Sequence, residues 1–128
     1  MNHQRPINLN LGSLKFPPMA IVSILHRISG IGLFLLLPMM LYFLKLSLTS
    51  AASFKHLHLL MTTCVWYKLV ILAFTSALIY HLFAGVRHLL MDMGLGETLV
   101  AARRSSFVVI GLSVVGTLLF GAYLWSLV

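Results

Sequence analysis

Three long apolar runs, separated by short stretches that hold most of the polar and charged positions, set the pattern of this chain. The first extends from about Met19 to Leu48, the second from about Met61 to Leu90, and the third from Phe107 to Val128. Each meets the roughly 20 residues that a helix needs to cross a hydrocarbon core. Only helices and closed barrels satisfy their backbone hydrogen bonds in lipid, and these runs lack the period-2 alternation of barrel strands. The pattern predicts an all-α membrane protein with three transmembrane helices, at about 19–48, 61–90 and 107–128, in one membrane-anchor domain spanning 1–128. Residues 1–18 form a polar leader closed by Pro17 and Pro18, which suit a first helical turn. Pro38 falls inside the first run, where neighbouring helices tolerate a kink. That run is too long for the roughly 7–15-residue apolar core of a cleavable signal, and reads as a retained span.

Composition agrees. Apolar residues make up 60% of the chain and charged residues 9%. A domain this small leaves much of its surface in contact with solvent, so that solvent must be lipid over most of the chain. The net charge of +7 therefore points to anionic headgroups and acidic groups of other subunits, with no nucleic acid as partner. The single cysteine, Cys64, excludes an internal disulfide and reads as a small buried apolar residue.

The basic residues set an orientation. With the N-terminus inside, Arg5, Lys15, Arg27, Arg87, Arg103 and Arg104 lie on the cytoplasmic side and Lys45, Lys55 and Lys68 lie outside. That asymmetry predicts a cytoplasmic N-terminus and a periplasmic C-terminus. Tyr42, Trp66, Tyr67, Tyr123 and Trp125 then form one outer aromatic belt, and the loop from Asp92 to Arg104 faces the cytoplasm with both acids, Asp92 and Glu97.

Chemistry concentrates in His81-Leu-Phe-Ala-Gly-Val-Arg-His-Leu-Leu-Met-Asp92. Titratable groups at membrane depth are expensive and usually serve a function or a bound partner. His81 and His88, seven residues apart, share one helix face, with Ala77, Ala84 and Gly85 on or beside it. A flat strip of this kind can admit a planar macrocycle, with His81 as axial ligand and the cationic groups toward the cytoplasm on its acid substituents. The plainer alternative is a histidine bonded to a neighbouring helix, among ordinary packing residues. His3, His26, His56, His58 and His88 are all placed away from the opposite face of such a macrocycle, so a second axial ligand would come from another subunit. On the first helix, Ser23, His26, Arg27 and Gly30 share one side near the cytoplasmic boundary. They can bond the carbonyl of a lipophilic molecule, but the residues alone favour an arginine reaching to headgroups beside a capping serine. Ser113, Thr117 and Gly121 form a small-residue packing face on the third helix. Asp92 beside Arg87 reads as an interfacial ion pair.

Three ordered motifs, Arg5-Pro-Ile-Asn-Leu, Ser23-Ile-Leu-His-Arg-Ile-Ser-Gly30 and His81-x3-Gly-Val-Arg-His-x3-Asp-x-Gly94, resemble those of the large, cytochrome b-type membrane anchor of succinate dehydrogenase, respiratory complex II. The resemblance covers the leader, the first two helices and the three-helix layout; the third helix matches only in hydrophobicity. It implies a multi-pass protein of the bacterial inner (cytoplasmic) membrane, paired with a second three-helix anchor and carrying an iron–sulfur subunit and a flavoprotein subunit. It also implies one haem b shared between the two anchors, with His81 as this chain's axial ligand to the iron and His26, Arg27 and His88 near the propionates. Ser23 and Arg27 match a ubiquinone pocket. The implied activity is electron transfer from succinate to ubiquinone in the tricarboxylic acid cycle and respiratory chain, with no succinate oxidation by this chain alone. A fumarate reductase anchor working in reverse with menaquinol, a structural adaptor and a small channel are the alternatives. A channel should show a polar stripe through the full span, whereas these polar groups stop near mid-helix.

Overall fold

A computed structural model describes residues 16–127. The Arg5-Pro-Ile-Asn-Leu motif, His3, Lys15 and Val128 lie outside the described residues. Four helices follow in order: α1 (Pro18–Thr49), α2 (Ala51–Thr63), α3 (Val65–Asp92) and α4 (Leu99–Ser126). No strand occurs among the described residues. Helices α1, α3 and α4 are long and apolar enough to cross a membrane. At 1.5 Å per residue their lengths are about 48, 42 and 42 Å, so each exceeds a roughly 30 Å hydrocarbon core and carries its ends into the headgroup zone.

The start of α1 follows the sequence closely. Pro17 is the cap residue and Pro18 the first helical residue, where a missing N–H costs nothing. The helix runs on through Pro38 to Thr49. Two boundaries differ from the sequence reading. The segment between the first two apolar runs is not a plain loop: α2 occupies 51–63, started by a reciprocal cap in which the Ser50 side chain accepts from the Ser53 N–H and the Ser53 side chain accepts from the Ser50 N–H. The second span accordingly begins at Val65 rather than near Met61, after Cys64, which is extended and half-buried at the junction. The third span begins at Leu99 rather than Phe107, because the Thr98 hydroxyl caps it by accepting from the Ala101 N–H at 3.3 Å. Arg103 and Arg104 therefore lie on the opening turns of α4, not in a loop.

Helix α3 is the middle of the bundle and packs extensively on both α4 and α1. The core lies where all three meet, at Val22 of α1, Ala84 of α3 and Val109 of α4, with Tyr80, Phe83 and Ile110 around it. The buried face of α4 runs Ala102, Ser106, Val109, Ser113 and Leu124. It is mostly small, as membrane interfaces require. Gly116 continues this face: a Cβ there would stand 3.2 Å from Ile79 Cγ2. Of the expected packing triplet, Ser113 is buried and Gly121 approaches Leu72 of α3. Most other large apolar side chains point outward, which suits lipid or protein partners.

One end of the bundle is aromatic. Phe43 stacks on Tyr67 with ring centres 5.4 Å apart, and Lys68, buried at the start of α3, sits 5.8 Å over the Trp125 ring. The opposite end carries His26, His81 and His88 with the arginines of the described residues.

Candidate functional site

Three imidazoles line up between α1 and α3. His26 stacks on His81 with ring centres 4.2 Å apart and planes 18° from parallel, and lies 5.2 Å from the His88 ring on its other side. The seven-residue spacing on α3 puts His81 and His88 two turns apart on one face, and His26 of α1 fills the interval. His26 is therefore a close neighbour of His81, not a residue confined to the boundary below it.

Glycines make this approach possible. A Cβ at Gly30 would stand 3.2 Å from His81 Cε1, and one at Gly85 would stand 3.4 Å from His26 Nε2. Two of the small residues on this face of α3 are thereby accounted for. Ala84 is buried in the three-helix core and Gly85 receives the His26 ring. Both pack against other helices of this chain. For Ala84 and Gly85 the plainer packing alternative holds.

The hydrogen bonds of the His81 ring are all made at Nδ1. That atom lies 3.2 Å from the His26 carbonyl oxygen and 3.1 Å from Ser29 Oγ. Ser29 is itself buried and donates its hydroxyl to the same carbonyl at 2.8 Å. His26 Nε2, in contrast, is buried with no hydrogen-bond partner. Such a group costs free energy unless something satisfies it. Among the described residues no group of three or more His, Cys, Asp or Glu side chains is arranged around a bare metal ion.

Arg87 does not join this row. It is buried on the α4 side, donating from Nε to Ser105 Oγ at 2.9 Å and from its terminal nitrogen to the Ala102 carbonyl at 3.1 Å. One residue around the helix from His88 is a turn of about 100°, enough to aim it at a different neighbour. Its recorded partners are on α4, and Asp92 is exposed at the end of α3. The interfacial pair expected from the sequence is replaced by this inter-helix clamp.

The Ser23–Gly30 segment divides between two faces. His26, Ser29 and Gly30 face α3, whereas Arg27 is exposed and Ser23 half-buried one turn before it. Ser23 and Arg27 thus share a patch beside the histidine row, open to whatever lies against this end of the chain. Sequence reasoning missed two residues that build the site. Ser29 holds His81, and Tyr80 donates to the Val22 carbonyl at 3.0 Å, tying α3 to α1 one residue from His81. Ser29 carried a local signal, one turn from His26 and next to Gly30. Tyr80 carried none, since its partner is 58 positions away.

Known proteins are similar to this sequence. Residues 1–120 match the family model described as the succinate dehydrogenase/fumarate reductase transmembrane subunit. The chain is similar to the succinate dehydrogenase cytochrome b556 subunit of Coxiella burnetii, with 47% identity over 125 residues, covering 98% of this chain and 100% of that one. It is 35% identical over 112 residues to the b556 subunit of Paracoccus denitrificans, covering 87% and 85% of the two chains. It is also 30% identical over 117 residues to that of Rickettsia prowazekii, covering 91% and 90%.

Proposed function

Because the chain belongs to the succinate dehydrogenase/fumarate reductase transmembrane-subunit family, we propose that it holds one side of a haem b and part of a ubiquinone pocket within a succinate:ubiquinone oxidoreductase. The observation that carries this reading is the row of imidazoles at one end of a multi-pass bundle: His81 fastened through Nδ1, with the unsatisfied Nε2 of His26 beside it.

The residues present fit the group. His81 would hold the iron, since its bonded Nδ1 leaves Nε2 for a metal. His26 and His88, with Arg27 close by, would take the propionates, and the orphaned His26 Nε2 has a donor position for one of them. A bound haem supplies one-electron redox capacity at a potential set by its axial ligands and burial. A second membrane anchor would complete the binding of the group.

The quinone role falls to Ser23 and Arg27. Succinate loses two electrons and two protons to become fumarate at a flavoprotein subunit, and the electrons pass through an iron–sulfur subunit. Ubiquinone takes up two electrons and two protons to become the quinol. Ser23 donates a hydrogen bond to a quinone carbonyl, and the exposed Arg27 guanidinium stabilises negative charge developing on the ring. The excess of basic residues at this end supports a cytoplasmic N-terminus and a periplasmic C-terminus in a bacterial inner membrane. Curated relatives named for succinate dehydrogenase favour this direction over fumarate reduction.

Arg27→Ala tests the quinone role in the assembled complex. Succinate-driven reduction of ubiquinone should fall by at least tenfold while succinate oxidation with a soluble dye acceptor persists. Equal loss of both would mean that Arg27 serves assembly instead.

A further inference from the structure

We infer that Ser29, acting with the main-chain carbonyl of His26, is a positioning residue that fixes the His81 imidazole as its Nδ1–H tautomer and so presents Nε2 to the haem iron. The inference rests on the haem reading above and goes beyond it, since it concerns what sets the ligand rather than which residue is the ligand.

The argument is one of counting protons. Two oxygens lie against His81 Nδ1: the His26 carbonyl at 3.2 Å and Ser29 Oγ at 3.1 Å. The carbonyl can only accept. The Ser29 hydroxyl has a single proton, and that proton is directed to the same carbonyl at 2.8 Å. Ser29 therefore turns a lone pair toward His81. With acceptors on both sides, Nδ1 must carry the hydrogen and share it between them. A neutral imidazole with Nδ1 protonated has its only lone pair on Nε2. The opposite tautomer would set the Nδ1 lone pair against a carbonyl oxygen and require the Ser29 proton to leave its present partner.

Each part of this device is held by α1. Ser29 lies one helical turn after His26, so its hydroxyl reaches the i−3 carbonyl without leaving the helix, a local bond that serine makes readily. Gly30 leaves room for the ring, with Cε1 only 3.2 Å from where a Cβ would be. The ring's other face is covered by His26 at 4.2 Å. The imidazole is thus fixed in proton position and in plane before any iron arrives. A hydrogen bond from the distal nitrogen of a metal-bound histidine also raises the ligand's basicity. A more basic ligand favours the ferric state, so Ser29 holds the haem potential down.

The test uses the whole complex purified in detergent, with Ser29→Ala, Ser29→Thr and Ser29→Cys variants. The readouts are haem per complex and the haem midpoint potential by optical redox titration. Ser29→Ala should keep its haem and titrate at a higher potential, with the reduced-to-oxidised ratio at fixed ambient potential raised about fivefold, the equivalent of one net hydrogen bond. Ser29→Thr, which retains the hydroxyl, should restore the original value. A Ser29→Ala potential equal to the wild type, or an equal shift in Ser29→Thr, overturns the inference. Should Ser29→Ala not assemble, Ser29→Cys decides on the same criterion, since its sulfur is the weaker acceptor: a raised potential supports the role and an unchanged one overturns it. His81→Ala separates the two levels. If it keeps an unaltered haem spectrum, the ligand assignment falls and the Ser29 role with it. If it loses haem while Ser29→Ala is unshifted, only the Ser29 role falls.

Discussion

At the residue scale, the chain spends its few polar groups on joining helices as well as on the site. Arg87 is the clearest case: a buried guanidinium whose donors reach Ser105 and the Ala102 carbonyl. Arg87→Ala should destabilise the subunit by about 2 kcal/mol, no more, because the partners left behind stay satisfied through the Ser105 and Ser106 bonds to Ala102. A thermal shift of the complex in detergent measures it, and an unchanged midpoint would mean the clamp carries no stability. Tyr80→Phe should cost about 1 kcal/mol by the same assay, since it removes one neutral hydrogen bond and leaves the Val22 carbonyl inside a helix. The candidate site was partly legible at this scale. His81, His88 and His26 stand out because imidazoles are costly among apolar neighbours. Arg87 was legible as important but not in its role, because a charge near a histidine in sequence says nothing of which helix it faces. Ser29 was not legible as a partner of α3, since a serine hydroxyl in a helix usually satisfies itself locally, and Tyr80 was not legible as a partner of α1, since its acceptor is 58 positions away.

At the scale of elements, the three spans were legible because length and hydropathy alone decide what crosses a bilayer. The ends were less so. The apolar run of the third span stops at Phe107, but α4 begins eight residues earlier, where Thr98 caps it, because arginines are good helix formers once a helix leaves the hydrocarbon. Helix α2 was hidden because its 13 residues mix Lys55, His56 and His58 with leucines and show no long apolar run. Its signature was the Ser50–Ser53 reciprocal cap, a local pattern rather than a hydropathic one. Close packing of α3 on α4 depends on Gly116, which faces Ile79. Gly116→Ile should cost about 1–3 kcal/mol through overpacking, whereas Gly111→Ala, with nothing within 4 Å of the new Cβ, should be neutral or stabilising. Equal melting temperatures for the two variants would contradict this assignment of the interface.

At the scale of the whole molecule, the bundle has two unlike ends, an aromatic end with α2 and a basic end with the histidine row, and this polarity determines which way it sits. In a Cys64→Ser background, His58→Cys should react with a membrane-impermeant thiol reagent on intact cells, and Glu97→Cys only after permeabilisation. The reverse pattern would invert the topology and move the site to the other face. The molecule is also incomplete by itself. Apolar side chains cover its outer faces, and the histidine row lies between α1 and α3 near one end. The central claim is therefore that His81 ligates a haem shared with a partner. The most direct measurement is the reduced-minus-oxidised optical spectrum and haem content of the assembled His81→Ala complex beside the wild type. The account predicts a b-type spectrum in the wild type that is lost or strongly altered in the variant while the subunits still co-purify. An assembled variant with an unchanged spectrum and one haem per complex would contradict it.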